Sequence, residues 1–179
     1  LGSCSMLANT TGSNNTAIGH IALCANTTGS CNVAIGRDSL DSNTTGSSNV
    51  AVGTDTLQAN TTGGSNIAIG DDALKGNSTA SFNIGIGATA LQNNQTGTGN
   101  VAVGYQSLPS NTASNNTAVG RASLLANTTG ASNVAVGTCS LKSNTTGASN
   151  VALGAYSLDE NTTGADNVAI GTYALTRVT

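Results

Sequence analysis

Charge is scarce in this chain of 179 residues: five basic and eight acidic side chains leave a formal net charge of −3. With no basic cluster to neutralise a phosphate backbone, nucleic-acid binding is excluded as an expectation. Large apolar residues are scarce too. Leu, Ile, Val and Phe together make up about a fifth of the chain, Phe occurs once and Trp is absent. That supply is too small for a conventional globular core, and on its own it falls in the range of disordered chains. Disorder also calls for high net charge, which this chain lacks. No apolar run approaches the length of a transmembrane helix, so membrane insertion of this segment is not expected. The first residues of the chain do not read as a charged-then-apolar leader. It opens on Leu1 within a repeat, as an excerpt of a longer fibre would.

Catalytic ingredients are equally thin. There is one histidine, His20, placed in a column that reads as a solvated edge. No Cys-x-x-Cys, Gly-x-Ser-x-Gly or His-Glu pair occurs, so neither an enzyme nor a cofactor is expected.

What the sequence has in place of these is a period. The asparagines Asn9, Asn26, Asn43, Asn60, Asn77, Asn94, Asn111, Asn127, Asn144 and Asn161 are 17 residues apart, except for 16 between Asn111 and Asn127. The unit reads N-T-T-G-x-x-N-V-A-I-G-x-x-(A/S)-L-x-x. Such internal repetition decides the architecture before any local reading does. Seventeen residues are too few for a helical pair or a propeller blade, and the recurring Gly and Thr weaken helices. Alternate β-branched residues, such as Val33 with Ile35 and Val101 with Val103, have the period of a strand. The expectation is an all-β, parallel β-solenoid (a β-roll) of about ten 17-residue coils. Each coil would hold one short strand, a second extended piece around the Leu, and turns.

The organisation is then one repeat domain, 1–179, with a partial coil at 1–8, ten repeats over 9–177 and a partial coil at 178–179. Stacked at the ordinary strand spacing, the coils make a rod on the order of 50 Å long.

In such a rod each fixed column becomes a ladder. Three apolar ladders are expected to fill the interior: Thr16 to Val168, Ile18 to Ile170 and Leu23 to Leu175. Two asparagine ladders run beside them, one through Asn9, Asn26, Asn43 and Asn60, the other through Asn15, Asn32, Asn49 and Asn66. Stacked amides bond along the axis and satisfy turn backbone. The Gly column from Gly19 to Gly171 has no exception, which calls for positive φ or close backbone approach. Columns that vary, including Arg37, Asp71, Arg121, Lys142 and Glu160, face water.

Between the two apolar residues of each strand stands a small one: Ala17, Ala34, Ala51, Ala68, Gly85, Ala102, Ala118, Ala135, Ala152 and Ala169. A solvent-facing position has no reason to stay small through ten repeats. The column therefore reads as a face packed against sister chains, the alternative being that alanine fits inside a very flat coil. The pentads NVAIG, NIAIG and NVAVG resemble the repeat of YadA-like head domains in trimeric autotransporter adhesins. The longer unit is similar to repeats in phage and bacterial fibre proteins. The likeness covers the whole chain, with a coil somewhat longer than the adhesin heads usually have. It implies a trimeric parallel β-roll, extracellular or on a virion surface.

Smaller signals remain. Asp38, Asp55 and Asp72 share a column on consecutive coils and are weak candidates for a cation, with solvation the plainer reading. Tyr105, Tyr156 and Tyr173 form a possible ligand edge for a host surface glycan or protein, or simply pack on one another. Cys4, Cys24, Cys31 and Cys139 are expected to be free thiols. Nine of the ten turn asparagines begin an Asn-x-Ser/Thr triplet, read here as turn and ladder chemistry. The function these features point to is a structural or adhesive fibre segment, a rigid oligomeric rod holding or displaying a receptor-binding element. Two alternatives compete with it: a self-assembling extracellular filament, and an ice-binding solenoid using the Thr files at Thr10-Thr11, Thr27-Thr28 and onward.

Overall fold

The computed structural model describes residues 2–176. Leu1 and residues 177–179, with the partial coil at 178–179, lie outside the described residues. The chain winds into a β-solenoid with one three-residue strand per coil. The strands are β1 (Thr16–Ile18), β2 (Val33–Ile35), β3 (Val50–Val52), β4 (Ile67–Ile69), β5 (Ile84–Ile86), β6 (Val101–Val103), β7 (Thr117–Val119), β8 (Val134–Val136), β9 (Val151–Leu153) and β10 (Val168–Ile170). They form one parallel sheet in sequence order. Each residue pairs with its counterpart one coil on, as Ala34 does with Ala51. The short coil leaves this register intact, with Ala102 opposite Ala118. The missing residue is absorbed in the turn, where the Asn111 amide reaches the Ala113 carbonyl two residues on instead of a carbonyl three residues on, as Asn94 does with Gly97.

No second strand forms around the leucine. Residues 20–25 and their counterparts are a turn in which two residues of each coil take left-handed backbone, for example Asp38 at φ 54° and Leu40 at φ 51°. A non-glycine residue in that region costs roughly 1–2 kcal/mol. The cost is offset because the turn is bonded to its neighbours on both sides. The Leu40 amide donates forward to the Thr56 carbonyl at 3.0 Å, and the Asp38 amide donates backward to the His20 carbonyl at 3.0 Å. Amides between these donate within the coil, as Ala22 does to the Gly19 carbonyl at 3.5 Å, and the Ala25 amide again donates forward, to the Asp41 carbonyl at 2.9 Å. The turn is thereby hydrogen-bonded along the rod as a strand would be.

The interior differs from the expected one. Leu23, Leu40 and their counterparts as far as Leu158 are fully buried. The Val and Ile columns lie on the outer face of the sheet, half-buried or exposed. The small column takes their place inside. Ala34, Ala51, Ala68, Ala102, Ala118, Ala135 and Ala152 are at 0% exposure, Ala169 is at 2%, Gly85 is buried, and only Ala17 in the end coil is half-buried. A side chain enclosed by its own coil has nothing to offer a sister chain, so these ten residues are not an outward interface. The reason is visible at Gly85, where an added Cβ would already lie 3.3 Å from Leu74 Cγ and 3.1 Å from the Ala90 carbonyl oxygen. The coil is flat enough that leucine from one side and a single methyl from the other fill it.

The strand's Gly column meets both demands made of it. Gly36 sits at φ 138°, and a side chain there would overlap the Gly53 carbonyl of the next coil.

Candidate functional site

With the interior closed and no pocket opening among the described residues, the surfaces along the rod are the candidate sites. The first is the outer face of the sheet. Two columns stand side by side on β1–β10, and all but Thr16 and Thr117 are Val, Ile or Leu. Ile18 is 48% exposed, Ile69 39%, Val136 38% and Ile170 70%. The columns run about 43 Å, nine steps of strand spacing, and with their flanks cover on the order of 400–500 Å². That is the scale of the largest apolar patch on a typical soluble monomer, and such patches are often functional.

Two asparagine ladders hold this face flat. In the first, Asn43 Nδ2 donates to Asn26 Oδ1 at 2.8 Å and to the Gly46 carbonyl at 3.0 Å. In the second, Asn49 Nδ2 donates to the Gly63 carbonyl at 2.8 Å, and its backbone N–H donates to Asn32 Oδ1 at 3.0 Å. Asn26, Asn32, Asn43, Asn49, Asn60 and Asn66 are fully buried, and Asn9 and Asn15 in the first coil are half-buried. Burying an amide is tolerable only when its hydrogen bonds are made. A first-ladder asparagine such as Asn43 therefore satisfies its own turn and clamps the coil before it, while a second-ladder asparagine such as Asn49 satisfies the turn of the coil after it.

The acidic column does not assemble a cation site. Asp38 is met by Arg37 at 2.7 Å. Asp55 lies between Arg37 at 3.1 Å and Lys75 at 3.0 Å, and Asp72 meets Lys75 at 3.0 Å. Among the described residues no cluster of His, Cys, Asp and Glu gathers metal-ligand geometry. His20 Nδ1 joins the end of the file 3.9 Å from Asp38 Oδ1. The result is an alternating charge file on the leucine turn, held by hydrogen bonds from Lys75 to Asp72 and Asp55 that raise the Lys75 pKa. Asp41 lies beside it. Partial burial raises its carboxyl above the usual range, opposed by hydrogen bonds from Ser42. The residue pattern alone shows no sign of this file, because Arg37 and Lys75 reach across coils from columns that otherwise vary.

Tyr156 and Tyr173 stack on each other with centroids 5.1 Å apart, and Tyr173 is 62% exposed. Tyr105 is 52% exposed one place earlier in its own coil. All four cysteines are free. In the Thr files, Thr10, Thr27 and Thr44 donate their hydroxyls to the backbone of the next coil at 2.9–3.0 Å. Only the second file is left free to meet solvent, which weakens the ice-binding alternative. Comparison with family models, with curated proteins and with solved structures finds no match to this chain.

Proposed function

We propose that the chain is a segment of a rigid, non-catalytic extracellular fibre whose apolar sheet face is buried between copies of itself. The single observation carrying this reading is the double column of Val, Ile and Leu, broken only at Thr16 and Thr117, on the outer face of β1–β10. At roughly 25 cal/mol per Å², covering some 400 Å² of apolar surface is worth on the order of 10 kcal/mol per chain before association costs. Three chains sharing one axis would bury the stripe from each, in keeping with the likeness to trimeric adhesin heads. The Tyr edge and the charge file remain on the outside, where a host glycan or protein could be met. A place on a virion or cell surface follows from the same reading.

The test is sedimentation equilibrium or native mass spectrometry of the purified chain. A trimer is expected, and Ile69→Lys together with Val101→Lys, two substitutions on the outer face, should yield folded monomer. A wild-type chain that stays monomeric at high micromolar concentration overturns the proposal.

A further inference from the structure

The triplet Asn-x-Ser/Thr occurs at eleven places, and the fold sorts them into two kinds. Nine start at asparagines of the first ladder. From Asn26 to Asn161 these are at 0–1% exposure, with Nδ2 committed to a turn carbonyl, as in Asn60 to Gly63 at 3.0 Å. The other two are Asn14-Asn15-Thr16 and Asn115-Asn116-Thr117. Asn14 and Asn115 occupy a different column, at the corner two residues before the strand, and both are exposed. Their backbone is left-handed, at φ 57° and 63°, which turns the side chain away from the coil. Among the described residues neither side-chain amide meets a hydrogen-bond partner. Beside Asn115 the next corner is Gly99, where an added Cβ would come 2.9 Å from Asn115 Oδ1. The asparagine thus leans into space that glycine keeps open.

The residue completing each triplet is also out of pattern. Thr16 and Thr117 are the two strand starts that are not Val or Ile. They coincide with the two asparagines in the corner column, although nothing in the packing links a corner side chain to one on the outer sheet face.

We propose that Asn14 and Asn115 are acceptors for N-linked glycans, and that the nine ladder asparagines are not. The proposal rests on the reading of an exported chain. In the transfer, Nδ2 attacks the anomeric carbon of an oligosaccharide carried on a lipid pyrophosphate. The N–C bond forms as the bond from that carbon to the pyrophosphate oxygen breaks. The lipid pyrophosphate leaves with the electron pair, and one Nδ2 proton passes to a base of the transferase. Glycans at the two sites would stand six coils, about 29 Å, apart on one edge. A ladder asparagine could be modified only by giving up both its turn and its neighbour.

The test uses the folded full chain with a single-subunit oligosaccharyltransferase and a short lipid-linked oligosaccharide, read by peptide mapping in a mass spectrometer. Occupancy at Asn14 and Asn115 is expected to exceed that of any ladder asparagine by about tenfold or more, since a ladder residue must first be released by local opening. Thr16→Val and Thr117→Val, which install the residue common at the other strand starts, should abolish it with the circular dichroism unchanged. Unmodified Asn14 and Asn115 beside a fully modified control peptide would overturn the assignment, as would equal occupancy of ladder and corner sites. Because the assay needs neither export nor assembly, its failure is distinct from that of the fibre reading.

Discussion

Asn77 Oδ1 is fully enclosed and accepts no hydrogen bond, because Asn94, the next asparagine in its ladder, does not reach it. The step before it is intact, with Asn77 Nδ2 donating to Asn60 Oδ1 at 3.0 Å. The step after it is long, 3.4 Å from Asn111 to Asn94. The corner amides fail at the same place. Thr44 and Thr61 each donate to the next coil at 2.9 and 2.8 Å, the run lapses at Ser78 and Gln95, and it resumes at Thr112. The first of these two coils also contains the one strand centre that is glycine, Gly85, and the second runs directly into the short turn at Asn111.

This seam is expected to open first. Native-state hydrogen exchange should show the amides of Ser78 and Gln95 exchanging faster than those of Thr44 and Thr128. Gln95→Thr, which supplies a hydroxyl to the Thr112 carbonyl as Thr44 does for Thr61 at 3.0 Å, should stabilise the rod by about 0.5–1 kcal/mol. Uniform exchange along the corner, or no gain in the melting temperature, would contradict the expectation.

Removing a central rung should do the opposite. Asn60 donates to Asn43 Oδ1 at 2.8 Å and to Gly63, and it accepts from Asn77. Asn60→Ala leaves buried groups unpaired on three sides, at a cost on the order of 2–4 kcal/mol in denaturant titration. A loss under 1 kcal/mol would mean that the ladder is ornamental.

The small column is limited by volume inside the coil, which makes two substitutions diverge. Gly85→Ala restores the residue found at the other nine strand centres; its gain of about 0.5–1 kcal/mol from restricting the unfolded chain is opposed by the 3.1 Å approach to the Ala90 carbonyl oxygen and the 3.3 Å approach to Leu74 Cγ, so the net change should be small. Ala102→Val should lose about 1–3 kcal/mol by overpacking against the leucine ladder. Since the column is internal, neither should change the oligomeric state measured by sedimentation. A selective loss of assembly in Ala102→Val would return this column to the interface.

For Asp41 the sign follows from its raised pKa. The folded chain holds the proton more tightly than the unfolded one, so stability declines as pH rises through the window between the unfolded and the folded pKa, and the penalty persists above it. Asp41→Asn should therefore raise the melting temperature at neutral pH and leave it little changed below the unfolded pKa, as read by calorimetry across acid pH.

Much of this architecture was legible in the residues. The 17-residue period fixed the coil, and N-V-A-I-G located every strand. The complete Asn columns identified both ladders. Which side of the strand faces inward was not legible, because alternation gives two faces without saying which is which. Asn32 and Ala34 share a face, so the interior that takes the asparagine ladder must take the alanines, and Val33 with Ile35 is left outside. The turn around Leu40 was also hidden. Leucine has no preference for left-handed backbone, and only bonding between coils makes that conformation pay. The charge file was invisible for a related reason, since Lys75 joins two aspartates that lie on different coils.

The short turn at Asn111 carries a consequence for how such a rod can change over generations. That coil is one residue shorter, yet Ala102 still faces Ala118 and the sheet runs on unbroken. Because the turn absorbs errors of length and each coil touches only the two beside it, whole coils can be gained or lost without redesigning the rest. The length of the rod becomes a quantity that is set by counting, in steps of one strand spacing.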